Sequence, residues 1–126
     1  MTIPIQTAVE CLMEARSTRR AVAPLSETDP SLTIEHAYAI QDALRAELER
    51  RGERAIGWKL AFTSPAAQAT LGVSEPAAGF LLAGQYASGA EVSLGGFAGL
   101  GVEVEVAFRM RTTLVGPGVT AATPAL

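Results

Sequence analysis

Two glutamates separated by one residue are the feature of this sequence best suited to chemistry. Glu103 and Glu105 lie in the alternating stretch 102–108 (VEVEVAF), whose apolar residues recur at every second position. A strand with this period places both carboxylates on one face, roughly 6.5 to 7 Å apart. Such a pair suits a hard cation such as Mg²⁺, which takes oxygen ligands and keeps several waters. The alternative is the solvated polar face of an amphipathic strand.

A lysine is the second candidate for a functional group. Lys59 lies within residues 54–62, where large apolar residues alternate with small ones and predict another strand. On that strand Lys59 points away from the Trp58 side. A lysine on a half-buried strand often extends its charged end to solvent and has no catalytic role, and the pattern alone does not decide against that interpretation.

Two further reactive residues fit structural positions better than catalytic ones. His36 is the only histidine and falls near the start of a predicted helix, where an exposed or capping imidazole is expected and no partner is evident. Cys11 lies beside the apolar stripe of another helix, which favours an inert packed thiol. With one histidine and one cysteine, no cluster has zinc spacing and no internal disulfide forms.

Helices predicted from apolar spacing precede the strands. Residues 5–19 form an amphipathic pattern, and residues 34–51 form a second one that begins after Thr33, a good N-cap, and stops before Gly52. The proline-containing stretch 24–30 between them predicts a loop.

Beyond the first predicted strand, the sequence changes in character. Ser64 and Pro65 form a typical helix opening, and Gly72 is a plausible end for that short helix. After Pro76, short apolar runs are separated by glycines. These runs predict a carboxyl half that is mainly β; they are residues 79–83, 91–94 and 102–110.

Composition excludes several classes of partner. With 48% hydrophobic and 18% charged residues, the 126-residue chain has the balance of one folded domain. The net charge of −3 and the scattered basic residues argue against nucleic acid as a partner. The sequence contains no apolar run near the ~20 residues of a membrane helix, and no signal peptide is visible. We therefore expect a cytoplasmic protein that does not bind membranes.

Four segments, in fixed order, resemble the 2-keto-4-pentenoate hydratase family of the fumarylacetoacetate hydrolase superfamily. They are residues 33–41 (TIEHAYAIQ), 56–62 (IGWKLAF), 68–76 (QATLGVSEP) and 102–108 (VEVEVAF). The similarity extends from the first helix to about Phe108, which is most of the chain.

The resemblance implies an α+β fold. In that fold, amino-terminal helices flank a mixed β-sheet or β-roll of the fumarylacetoacetate hydrolase type. On this basis we expect residues 1–53 to be the helical amino-terminal region and residues 54–126 to be the first part of a β-rich catalytic domain. That domain is expected to be truncated, so that the sheet is incomplete at the carboxyl end.

The resemblance also implies a metal site. Glu103 and Glu105 match the glutamates that hold Mg²⁺ or Mn²⁺ in the family. Lys59 matches the family's lysine after a Gly-Trp pair, and the resemblance implies a catalytic role for it: placing positive charge near the substrate carboxylate or helping to transfer a proton. A third carboxylate ligand lies further along the family's chain, and no acidic residue follows Glu105 here. We therefore expect this chain to be the amino-terminal part of such an enzyme, cut off before its site is complete.

The reaction implied by the resemblance is hydration. The family adds water to a 2-hydroxy-2,4-dienoate and forms a 4-hydroxy-2-oxo acid during aromatic-compound degradation, so a small 2-oxo or 2-hydroxy dienoic acid is the expected ligand. Two alternatives stay open: decarboxylation of a related 2-oxo dienedioate such as 4-oxalocrotonate, and an inactive truncated fragment. A homo-oligomer is a further possibility.

Overall fold

Three helices precede a small antiparallel sheet in this computed structural model. The structure describes residues 2–84, 86–113, 115–117 and 119–120. The elements are α1 (Ile5–Thr18), α2 (Leu25–Thr28), α3 (Ile34–Arg50), β1 (Ala55–Ala61), α4 (Pro65–Leu71), β2 (Ala77–Leu82) and a 3₁₀ turn (Leu94–Gly96). Within the described residues, no helix has the length and apolar character needed to cross a bilayer.

Local capping groups define the ends of α3 and α4 where the sequence predicts them. The side chain of Thr33 accepts a hydrogen bond from the backbone N–H of His36, and that of Ser64 accepts one from Ala67. These bonds satisfy backbone donors that the first helical turn leaves free. Helix α4 ends at Gly72, whose φ of 68° is a left-handed conformation that glycine adopts without strain. Both predicted helices are confirmed, as is α1.

The core forms where α1 packs against α3. Ala8 and Val9 of α1 contact Ile40 of α3, and all three side chains are at most 3% exposed. Partly buried apolar residues surround this contact: Ile3, Ile5, Leu12, Met13, Leu25, Leu32, Ala43 and Leu44. Because Leu25 belongs to α2, the segment predicted as a loop contains one helical turn that helps to cover the core.

A buried carboxylate ties the amino-terminal end to the α2–α3 connection. Asp29, 8% exposed, accepts hydrogen bonds from the backbone N–H of Ile3 at 2.7 Å and of Ser31 at 3.0 Å. Nε2 of His36 lies 2.9 Å from the Ile3 carbonyl oxygen, which accepts a hydrogen bond when that nitrogen carries the proton. The partner of His36 was not evident from the sequence, because it depends on the chain before α1 folding back across α3.

The sheet consists of β1 and β2 in antiparallel register. Trp58 pairs with Phe80, Lys59 with Gly79 and Leu60 with Ala78, and the register shifts between Ala55 and Gly57. The strand predicted over residues 54–62 is thus confirmed, although Phe62 leaves the alternation with a φ of 57°. The arrangement is α+β, but the strands of the described residues form a two-stranded antiparallel sheet rather than a mixed one.

Helix α3 also covers an edge of this sheet. The Tyr38 hydroxyl accepts a hydrogen bond from the backbone N–H of Ala78 at 3.0 Å, and Gln41 donates one to the Ala78 carbonyl at 3.1 Å. The Arg45 guanidinium lies 5.6 Å from the centre of the Trp58 ring. These contacts satisfy backbone groups that an edge strand leaves unpaired, and they join the sheet to the helices.

The strand predicted for residues 102–108 is absent from the structure. The backbone there is neither strand nor helix, and Val104 and Val106 are 101% and 80% exposed. Likewise, the run 91–94 leads into the 3₁₀ turn instead of forming a strand. Alternation describes which side chains share a face, but a strand also needs a neighbour to bond its backbone. No strand in the described part of the chain pairs with either segment.

Truncating Ile40 tests the α1–α3 core. The change Ile40→Ala is expected to lower the free energy of unfolding by about 2 to 4 kcal/mol, because it leaves a cavity at a buried site. Ile34→Ala is the matched control on the same helix: Ile34 is 57% exposed, so its loss is expected to cost less than about 1 kcal/mol. Urea denaturation measures both. Equal costs for the two variants would contradict this account of the core.

The Asp29 carboxylate is expected to make the fold less stable at low pH than at neutral pH. Hydrogen bonds from Ser31 and Ile3 hold the pKa of Asp29 below its ordinary value of 3.8. A lowered native pKa stabilises the fold above the unfolded-state pKa, and this stabilisation disappears as the pH falls through the native pKa.

The corresponding test compares Asp29→Asn with the parent chain as a function of pH. The variant is expected to be less stable at pH 7, and the difference is expected to shrink below pH 3.8. Asp42→Asn, which changes a side chain 66% exposed, serves as the control. A difference between Asp29→Asn and the parent that does not vary with pH would show that the Asp29 carboxylate charge has no part in stability.

Candidate metal and substrate site

Strand β1 positions Lys59 on the face opposite Trp58. Its neighbour across the sheet is Gly79, which has no side chain, so the lysine stem meets no cross-strand side chain at the paired position. Lys59 is half-buried, whereas Trp58 and Leu60 on the other face are 54% and 57% exposed. The alternation predicted from the sequence is confirmed, and its apolar face is the more exposed one.

The Lys59 ammonium meets both candidate glutamates. Nζ lies 2.9 Å from Oε2 of Glu103 and also donates a hydrogen bond to Oε1 of Glu105. Contact of both carboxylates with one nitrogen means that the two side chains project to the same side of residues 102–108, as their spacing predicts, even though that segment is not a strand. The three predicted site residues therefore lie together.

The two carboxylates stabilise the protonated form of the lysine. Hydrogen bonds to Glu105 and then to Glu103 raise the pKa of Lys59 above its ordinary value of 10.5. The amine, which is protonated at neutral pH even at that ordinary value, acts here as a cation and hydrogen-bond donor. The side chains of Lys59, Glu103 and Glu105 are 39%, 66% and 56% exposed. Because solvent screens such exposed ion pairs, their contribution to folding stability is small.

Glu103 and Glu105 have the donor chemistry of a hard-cation site. One oxygen of each carboxylate already contacts the same positive charge, the ammonium of Lys59. The two side chains are therefore close enough to bind one cation together. Two carboxylates suffice for Mg²⁺ when water completes its coordination. The described part of the chain contains no group of three histidine, cysteine, aspartate or glutamate residues placed to hold a metal. A third protein ligand is thus not supplied by those residues.

A separate cavity of about 430 Å³ lies between α3 and the turn that leads into β2. Its walls include Tyr38 and Gln41, the same side chains that bond to Ala78, and the residue Phe62, whose carbonyl accepts a hydrogen bond from Gln68 at 2.8 Å. Sequence reasoning did not identify this cavity. The available signal was the spacing of Tyr38 and Gln41 by three residues, which places both on one face of α3.

The remaining reactive residues stay outside the site. His36 contacts the carbonyl of Ile3 near the amino-terminal end, and Cys11 is a half-buried free thiol on α1.

Two bacterial hydratases are similar to this chain in sequence. The chain is 40% identical over 119 residues to 2-hydroxyhexa-2,4-dienoate hydratase of Comamonas testosteroni, a match that covers 92% of the chain and 45% of that protein. It is 38% identical over 104 residues to 2-keto-4-pentenoate hydratase of Burkholderia vietnamiensis, covering 82% of the chain and 40% of that protein. The chain therefore spans less than half the length of these relatives.

A solved structure shares the arrangement of helices and sheet. It is 4-oxalocrotonate decarboxylase from Pseudomonas putida G7, determined in one crystal with calcium and acetate and in another with magnesium and adipate. Each comparison has a TM-score of 0.59 and 29% sequence identity, and covers 62% of this chain and 30% of the decarboxylase chain. No family model matches the sequence.

The resemblance drawn from the four sequence segments is confirmed by these relatives. The identity of 40% extends across 92% of the chain and is not confined to one motif. Over the residues that it shares with these proteins, the chain is similar to hydratases of the 2-keto-4-pentenoate family.

Proposed function

We propose that the protein acts in a hydratase that adds water to a 2-hydroxy-2,4-dienoate and yields a 4-hydroxy-2-oxo acid during aromatic-compound degradation. The observation that carries this proposal is the convergence of Glu103 and Glu105 on Lys59 in a chain similar to named dienoate hydratases. Two carboxylates suited to bind a cation and one ammonium suited to bind an anion are thus in direct contact.

The proposed metal is Mg²⁺ or Mn²⁺, held by Glu103 and Glu105. Carboxylate oxygens are hard donors that suit both ions, and the similar decarboxylase was solved with calcium and with magnesium. When bound, such an ion supplies Lewis-acid stabilisation of negative charge on the 2-oxygen of the substrate.

Lys59 has two tasks in this proposal. Its ammonium offers positive charge and N–H donors to the carboxylate of the dienoate, which orients the substrate beside the glutamates. It is also a source of a proton during tautomerisation, in which the enol proton leaves the 2-oxygen and C5 gains one. Water then adds across the conjugated double bond, with its hydroxyl on C4 and its hydrogen on C3.

A related decarboxylase is the second candidate. The specific observation in its favour is the structural match to 4-oxalocrotonate decarboxylase at a TM-score of 0.59. Both activities use a 2-oxo or 2-hydroxy dienoic acid, so the substrate class is the same. Incubation with each substrate separates them: release of carbon dioxide from 4-oxalocrotonate marks decarboxylation, and formation of a 4-hydroxy-2-oxo acid from 2-hydroxypenta-2,4-dienoate marks hydration.

The wider fold and assembly belong to the same proposal. We propose that residues 1–53 form the helical region and that β1 and β2 begin a larger sheet or β-roll within residues 54–126. The cytoplasmic location and homo-oligomerisation stay predictions.

The first functional test measures metal binding and turnover by the 126-residue chain. Because the described residues supply two exposed carboxylates, we expect weak binding of Mg²⁺ and Mn²⁺, and slower hydration of 2-hydroxypenta-2,4-dienoate than that of a full-length relative. Calorimetry measures the binding, and loss of dienoate absorbance measures the hydration.

Variants of the glutamates identify the site. The double change Glu103→Gln and Glu105→Gln is expected to weaken metal binding at least tenfold, since even substitutions around metal ligands commonly cost about 10- to 100-fold. Glu91→Gln removes a carboxylate from an exposed residue and is expected to leave the affinity unchanged. Metal binding that survives the double change would disprove the assignment of Glu103 and Glu105 as ligands.

A further inference from the structure

Lys59 engages the same two carboxylates that the proposed metal site requires. One oxygen of each contacts its ammonium, at 2.9 Å for Glu103 and in a direct hydrogen bond for Glu105. We infer that the Lys59 ammonium competes with the divalent cation for Glu103 and Glu105. Without metal the ammonium binds both carboxylates, and it leaves them when the metal binds. This inference rests on the metal site proposed above.

Charge balance is the physical reason for the competition. One ammonium and two carboxylates carry a net charge of −1, so the lysine offsets the repulsion between Glu103 and Glu105. A divalent cation bound by the same carboxylates would repel an ammonium held within a few ångströms, because like charges at short range are unfavourable even in water. The cluster therefore favours one cation at a time.

Displacement gives Lys59 a second use. Its ammonium ends a flexible four-carbon stem, and the cross-strand position opposite its backbone is glycine. Once released from Glu103 and Glu105, the ammonium is free to meet an anionic group close to the metal. Metal binding thus prepares the lysine for the carboxylate of the dienoate, and the metal is expected to bind before the substrate.

The contrasting arrangement is a shared site. In that case the metal takes the other oxygen of each carboxylate, the ammonium keeps its two contacts, and Lys59 helps to hold the ligands in place. The two arrangements predict opposite effects of removing the charge of Lys59. Under competition the metal binds more tightly, whereas under sharing it binds equally well or less well.

The first experiment compares Lys59→Met with the parent chain by calorimetric titration of Mg²⁺ and Mn²⁺ at fixed pH and ionic strength. Affinity is expected to rise roughly two- to thirtyfold, because each of two exposed ion pairs is typically worth a factor of about 1.4 to 5. Arg54→Met removes the same unit of charge from the residue preceding β1 and is expected to change affinity less than about twofold. Circular dichroism checks that each variant is folded.

The outcomes separate this inference from the proposed function. If the parent chain binds metal and Lys59→Met binds it equally or more weakly, the competition is disproved and the metal site stands. If neither chain binds metal, both proposals fail. An equal gain in affinity for Arg54→Met would attribute the effect to net charge and would also disprove the competition.

A second measurement uses the parent sequence and does not depend on a Lys59 variant. Because Lys59 is the only lysine, growth with ¹³C-labelled lysine gives one Cε resonance. Saturation with Mg²⁺ is expected to shift this resonance and to increase side-chain mobility in ¹³C relaxation, as the ammonium leaves the carboxylates. The Glu103→Gln and Glu105→Gln double variant should show neither change. A Cε resonance whose mobility stays constant at full metal occupancy of the parent chain would overturn the inference.

Discussion

The apolar contact between α1 and α3 is the interaction on which the rest of the described structure depends. Ala8 and Val9 meet Ile40 in a contact that excludes solvent, while the strands contribute no fully buried side chain to it. An isolated two-stranded sheet is at best marginally stable in water. The helices therefore provide the stable base, and the sheet keeps its place through side chains that α3 extends towards it.

Helix α3 contacts the sheet through a face other than the one that packs against α1. Tyr38, Gln41 and Arg45 follow one another at spacings of three and four residues, which align them along the helix. Two of them bond to the backbone of Ala78, and the third lies over Trp58. The position of β1, and with it the position of Lys59, therefore depends on a helix whose other face is held by the core.

Stability alone does not account for the charges at the site. The contacts of Lys59 with Glu103 and Glu105 are exposed ion pairs, which stabilise a fold only slightly. The same segment holds Val104 and Val106 in solvent, which is unfavourable for apolar side chains. The stability of the described fold thus accounts for neither the ion pairs nor the exposed valines of this segment.

The sequence by itself determined the elements whose signals are local. Thr33, Ser64 and Gly72 define helix ends through hydrogen bonds or backbone conformations that involve only nearby residues. Alternation likewise predicted β1. Only the tertiary structure decided whether residues 102–108 become a strand, because a strand needs a partner from elsewhere in the chain. A local sequence pattern also could not predict the contact between Lys59 and glutamates more than 40 residues away. That contact depends on how α3 and β1 bring distant segments together.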